Sequence, residues 1–169
     1  MLKPQDILIA LKLVSLGDRR LSRYLLAKEL GMSASEVHAG IDRLRKCRLL
    51  NEEERPRKTV LLEFLVHGLP YVFPPEHGTI ARGIATSYAA PPLNAHIVHD
   101  EDSLVPVWPS PDGNRRGYTL SPLYRSVPEA ATRDPELYQL LALTDAIRDG
   151  RVREHKLAIA CLTEKLGVQ

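Results

Sequence analysis

Apolar residues recur at helical spacing at both ends of this chain and lose that rhythm in between. From Pro4 to Leu16, Ile7, Leu8, Leu11 and either Val14 or Ser15 fall on one face, with Pro4 suited to the first turn and Gly17 to the stop. A polar, basic stretch from Asp18 to Ser22 follows. Ser22 is placed to cap a second helix, Arg23 to Leu30, whose inner face is Leu26, Ala27 and Leu30. Gly31 then offers the left-handed backbone that a short helix-to-helix turn needs. Ser33 and Glu36 form an S-x-x-E pattern, in which each side chain satisfies a backbone N–H at the start of the next helix. That third helix is expected over Ala34 to Arg48, with Val37, Ile41, Leu44 and the stem of Arg48 turned inward.

After Leu50 comes NEEERPRK, and then Thr59 to His67 with the continuous apolar weight of a helix or a buried strand. The spacing predicts a helix from Arg57 to Val66, ended by Gly68 and Pro70. From Gly68 to Arg133 the texture changes. Ten of the 13 prolines lie between Pro70 and Pro128, which forbids long helices and limits strands to short or edge pieces. Yet large apolar groups from Tyr71 through Trp108 to Tyr124 are too numerous for a solvated coil. Short strands are expected at LPYVF, LVPVW and GYTLS, with SPDGNRRG as a loop or hairpin tip between the last two. Helical periodicity returns with Asp134 and Pro135, which start a helix running to Asp149, and after Gly150 a second helix spans Arg151 to Leu166. The chain therefore reads as α+β, mainly α. It divides into a helix-turn-helix region (1–67), a Pro-rich ordered module with short strands (68–133) and a C-terminal αα-hairpin (134–169).

Composition adds little until it is divided along the chain. With 44% hydrophobic and 26% charged residues, the 169-residue protein has an ordinary globular profile. No apolar run reaches the roughly 20 residues of a membrane span, and Asp6 and Lys12 interrupt the N-terminal apolar stretch. A cytoplasmic location with no membrane partner is expected. Cys47 and Cys161 lack any C-x-x-C spacing, so neither a disulfide framework nor a zinc site is indicated. The net charge of +2 is uneven. Residues 1–60 carry 13 Lys or Arg against 8 Asp or Glu, and the remainder carries 10 against 13. Basic charge thus gathers where the first three helices lie, as nucleic-acid binding through phosphate neutralisation requires.

The run from Leu26 to Leu44, L-A-K-E-L-G-M-S-A-S-E-V-x-x-x-I-x-x-L, resembles the helix-turn-helix of bacterial winged-helix transcriptional regulators, the MarR-like group in particular. The resemblance covers about the first third of the chain. It implies a winged-helix-like domain that lays its third helix in the major groove of double-stranded DNA. Projection at 100° per residue puts Ser35, Ala39, Asp42, Arg43 and Lys46 on the outward face, flanked by His38 and Arg45. Ala34, Ser35 and Ala39 are small enough for the helix start to sink into the groove, where Ser33 to Ser35 supply N-terminal contacts. Arg43, Arg45 and Lys46 can reach phosphates or base edges, and His38 can donate to guanine. Asp42 is discordant: it accepts from a cytosine amino group or pairs with Arg43, Arg45 or Lys46. By analogy Arg19 and Arg20 contact the backbone, and Arg55, Arg57 and Lys58 are further phosphate contacts. The departure from the family pattern is NEEE, three glutamates where a wing belongs, so a wing is short, relocated or absent.

The functional expectation is a sequence-specific DNA-binding transcriptional regulator acting as a homodimer, because one recognition helix reads few base pairs. The alternative is a protein-interaction module, resembling antitoxin-like or defence-associated proteins, that binds a protein partner through residues 68–169. No cofactor and no enzymatic activity are expected. His96-x-x-His99-Asp100 reads as a surface loop, Thr86, Ser87 and Tyr88 as turn and cap chemistry, and Trp108 as a plug for its own module.

Overall fold

The computed structural model describes residues 1–169 and is mainly helical, with one small sheet. Helices α1 (Pro4–Leu16), α2 (Arg23–Leu30) and α3 (Ala34–Lys46) lead into a tight chain reversal and then α4 (Lys58–His67) and the single turn α5 (Leu69–Val72). Three strands follow: β1 (His77–Ala85), β2 (Val105–Pro109) and β3 (Arg115–Leu120). The chain closes with α6 (Val127–Arg133), α7 (Pro135–Asp149) and α8 (Val152–Leu166). No helix is long and apolar enough to cross a membrane.

Two helices run through the middle. In α1 every residue from Asp6 to Lys12 is buried, and in α7 Leu137 and every residue from Leu140 to Arg148 are buried. A helix covered on all sides has no polar face to give away, so its charged groups must find partners inside. Lys12 does so by donating to Asp134 at 2.8 Å and pairing with Glu29 of α2 at 2.5 Å. Asp134 is also the N-cap of α7, accepting from Leu137 N at 3.0 Å and from the Ser15 hydroxyl at 2.8 Å. One carboxylate thus fixes where α7 starts and where α1 lies against it. A single apolar cluster draws on all three regions of the chain, from Ile7 and Leu44 through Leu93 and Trp108 to Leu141 and Leu162.

The irregular middle is anchored to α7 by a second buried carboxylate. Asp145, 2% exposed, accepts from Trp108 Nε1 at 2.7 Å, from Thr86 Oγ1 at 2.8 Å and from the Arg148 guanidinium at 2.8 Å. Burial pushes the Asp145 carboxyl upward from its usual range, and those three donors oppose the shift. Arg148 continues outward to the carbonyl of Phe73 at 2.9 Å. Trp108 is 1% exposed and is a core plug, but of the cluster shared with the helices and not of its own module alone.

Several sequence expectations change here. LPYVF is not a strand. Leu69–Val72 is a helical turn that follows α4 after Gly68, and the first strand lies further on, over His77–Ala85. Of the two readings of SPDGNRRG the loop holds, over Ser110–Asn114, and the hairpin tip does not. β2 and β3 run parallel, both antiparallel to the long β1, and together they close a three-stranded barrel. Asp145 pairs with Arg148 inside the protein, both side chains buried. The third helix ends at Lys46, because Arg48 takes a left-handed backbone (φ 60°) and is exposed instead of packing its stem inward.

Replacing Asp145 with Ala leaves Arg148 buried without its counter-charge and is expected to cost about 3–5 kcal/mol in urea unfolding. Because the apolar cluster is shared, the fluorescence of Trp108 and the far-ultraviolet circular dichroism are expected to report one coincident transition. Separate midpoints would show independent units.

Candidate nucleic-acid interface

The pair α2–α3 is held by local chemistry. Gly31 adopts the left-handed conformation (φ 63°, ψ 36°) that stops α2, and its N–H returns to the Lys28 carbonyl. Ser33 N donates to Glu36 Oε2 at 2.8 Å and Glu36 N to Ser33 Oγ at 3.2 Å, the reciprocal cap that its sequence spacing predicts. Behind α3, Gly40 faces α1, where an added Cβ would sit 2.4 Å from Ile9 Cδ1. That position admits no side chain while the two helices keep their distance.

Arg43 requires correction. Projection places it outward among the DNA contacts, but it turns back along α3 and grips Asp6 of α1 with two bonds of 2.7 Å. Asp6 is fully buried, and the Arg43 side chain is 20% exposed. The Asp6 carboxylate holds the Arg43 guanidinium above its ordinary pKa. A buried carboxylate outcompetes solvent for a guanidinium fork within reach, and helical projection from apolar spacing cannot see a partner on another helix.

The outward surface that remains consists of Ser33, Ala34, Ser35, His38, Arg45 and Lys46, with Ala39 and Asp42 half-buried. Ser33 and Ser35 touch through their hydroxyls at 3.1 Å. Asp42 lies 3.6 Å from His38 one turn earlier, not against Arg43, Arg45 or Lys46. His38 also contacts Arg23 of α2, a residue outside the sequence-based set.

After α3 the chain doubles back. Leu50 bridges Pro56, Asn51 N donates to the Arg55 carbonyl at 2.9 Å, and Arg57 N donates to the Leu49 carbonyl at 2.9 Å. Its acidic tip lies against the basic helices. Glu52 pairs with Arg45 at 2.6 Å, Glu54 pairs with Arg23 at 2.5 Å, and the Glu53 carbonyl accepts from Arg20 at 2.8 Å. Arg55 reaches the Gly17 carbonyl at 3.0 Å, and Arg57 reaches the Arg48 carbonyl at 3.1 Å. Glu52 and Glu54 therefore neutralise neighbouring arginines, while Glu53 offers Arg20 only its backbone carbonyl. Arg19, Lys46, Arg48 and Lys58 are exposed and make no ion pair.

The Pro-rich module reaches this surface through one contact that the sequence does not announce. Tyr124 donates its hydroxyl to Glu36 Oε1 at 2.5 Å. With the Ser33 N–H, this bond lowers the Glu36 carboxyl to about 2. Arg133 of α6 donates to the Lys28 carbonyl at 3.0 Å, bracing the C-terminal turn of α2. No cluster of three or more His, Cys, Asp or Glu is placed to hold a metal ion. No family model, curated protein or solved structure matches the chain.

Two outcomes follow for this surface. Arg43→Ala leaves Asp6 buried and unpaired, so it is expected to lower stability by about 3 kcal/mol. The double change Asp6→Asn with Arg43→Met should recover most of that loss in urea unfolding. For Glu36 the folded carboxyl lies below its ordinary value of 4.5, so its contribution is present above that pH and is lost as pH falls toward about 2. The stability advantage of wild type over Tyr124→Phe is expected to shrink across that acid window, measured by thermal unfolding against pH.

Proposed function

We propose that this protein is a sequence-specific DNA-binding transcriptional regulator that presents α3 to the major groove of double-stranded DNA and acts as a homodimer. The observation that carries the reading is the braced helix pair α2–α3, whose outward side combines small residues at the start of α3 with unpaired cations at and just beyond its end. Ala34 and Ser35 let the helix start approach a groove, and Lys46 and Arg48 stand exposed without partners. The hairpin from Leu49 to Arg57 follows α3 where winged-helix proteins carry a wing, so a short wing belongs to the proposal. Its backbone groups, with Lys58 next in the chain and Arg19 beside the Arg20 that touches its tip, supply phosphate contacts, and its glutamates moderate the affinity.

On this reading Arg43 is a positioning residue for α3, not a contact. Arg45 reaches DNA when it exchanges Glu52 for a phosphate, an exchange between exposed groups that costs little. The docking of α6 and Tyr124 behind the turn gives the module a mechanical link to the reading head. That link is a natural route for a signal, because movement of α6 would disturb the cap of α3.

Fluorescence anisotropy on duplexes enriched from a random pool, repeated across salt concentrations, tests the proposal. Lys46→Ala is expected to weaken binding on all sequences and to reduce the log–log salt slope by about 1. Glu52→Gln, by freeing Arg45, is expected to tighten binding and steepen the slope. Weak binding that ignores both salt and these substitutions would sink the reading.

A further inference from the structure

The sheet carries a concentration of charge that the DNA-reading surface does not use. β1 and β3 are antiparallel, and their register sets Arg82 directly opposite Arg116 and Gly83 opposite Arg115. Side chains directly opposite each other project to the same face with Cβ atoms about 5 Å apart, where like charges repel. In this protein the pair has no intervening acid. Arg82, Arg115 and Arg116 make no ion pair, whereas eleven such pairs form elsewhere in the molecule. One Nη of Arg115 is buried with no hydrogen-bond partner at all. A buried guanidinium nitrogen left unsatisfied is rare, because a charged donor loses its hydration without replacement.

These three arginines surround one open hollow of about 570 Å³, completed by Ile80, Ala81, Gly113 and Asn114, with no acidic residue in its wall. The wall is stiff. Ser110 N donates to the Arg82 carbonyl at 3.2 Å, and Gly113 N donates to the Ser110 carbonyl at 3.2 Å. Gly113 lies so close to β1 that a Cβ there would fall 2.1 Å from the Gly83 carbonyl carbon. Position 113 therefore has no room for a side chain of its own. The next rung of the same face, two residues along each strand, is Ile80 opposite Tyr118; both are exposed, Ile80 in the wall of this hollow and Tyr118 in that of the adjoining one. Basic forks beside an exposed ring and an aliphatic surface are what a nucleotide recognises, through its phosphate and the face of its base.

We infer that the hollow beside β1 and β3 is a second binding site, for the phosphate of a nucleotide unit, with Arg82 and Arg116 from one face of the strand pair and Arg115 from the neighbouring register position as the anion clamp, and Tyr118 with Ile80 as the platform for the adjoining base. The phosphate comes either from a free nucleotide or from a nucleic-acid strand. The site does not depend on the role of α3. Its repulsive arginine pair makes a prediction that separates binding from folding. Removing the charges by Arg82→Gln with Arg116→Gln relieves the repulsion in the free protein, so this variant is expected to melt no lower than wild type.

Calorimetric titration of the full chain with inorganic phosphate and with adenosine monophosphate, beside anisotropy on single-stranded and duplex oligonucleotides, provides the test. Wild type is expected to bind adenosine monophosphate at least tenfold tighter than phosphate, and Tyr118→Ala should erase most of that ratio while leaving phosphate binding in place. The double glutamine variant should lose both ligands. Binding of the mononucleotide identifies the free ligand as the source. Failure of the mononucleotide together with a loss of oligonucleotide affinity of tenfold or more in the double variant, but not in Tyr118→Phe, identifies a strand. Lys46→Ala, which tests α3, should leave mononucleotide binding unchanged. Absence of binding to every probe, or equal binding by wild type and the double glutamine variant, would overturn the inference.

Discussion

A carboxylate sealed inside a protein dictates what surrounds it, because each of its lone pairs must be matched by a donor that water can no longer supply. Asp145 imposes that demand here. Its donors come from the indole of β2, the hydroxyl that follows β1 and the guanidinium one turn along α7. Arg148 in turn holds the Phe73 carbonyl before β1, so the start and end of that strand are indexed to the same helix. α7 is indexed to α1 by Asp134, and α1 to α3 by the grip of Asp6 on Arg43. A chain of buried charges therefore runs from the sheet to the helix proposed to read DNA. Each link orients a neighbour while apolar burial supplies the cohesion.

The sequence made the helical ends legible because their signals are local. Gly31, the Ser33–Glu36 cap, Asp134 with Pro135, and Gly150 each act within a turn of themselves, and the structure keeps all of them. What could not be read was non-local. Arg43 looks outward on a helical wheel until Asp6, 37 residues earlier, is known to lie beneath it. LPYVF has strand-forming residues, but four of its residues are claimed by the turn that follows α4. The parallel pairing of β2 with β3 contradicts the usual meaning of Asp112-Gly113 between two short strands. There the closure of the barrel around β1 overrides turn chemistry.

The two acidic features that look hostile to DNA, the NEEE run and Asp42, both find basic neighbours in three dimensions, Asp42 beside His38 at 3.6 Å. The tip Glu52–Glu54 lies against Arg45, Arg20 and Arg23, so it trims a basic surface without cancelling it. Glu36, the cap of α3, faces the module through Tyr124 and contributes to architecture. The sheet shows the converse case: arginines with no acid at all, gathered where the fold leaves a hollow. Charge is thus paired where it orients helices, and basic groups stand without an acid beyond the end of α3 and around the hollow beside β1 and β3.

The proposal that α3 is a reading head of a two-fold dimer has a direct geometric consequence. In a crystal structure of the protein bound to its selected duplex, the two copies of α3 should enter successive major grooves with centres about 34 Å apart, one helical turn of B-DNA. Arg43 should remain on Asp6 in both copies. A duplex engaged by another face, or α3 helices at a spacing that no turn of DNA can match, would contradict the account.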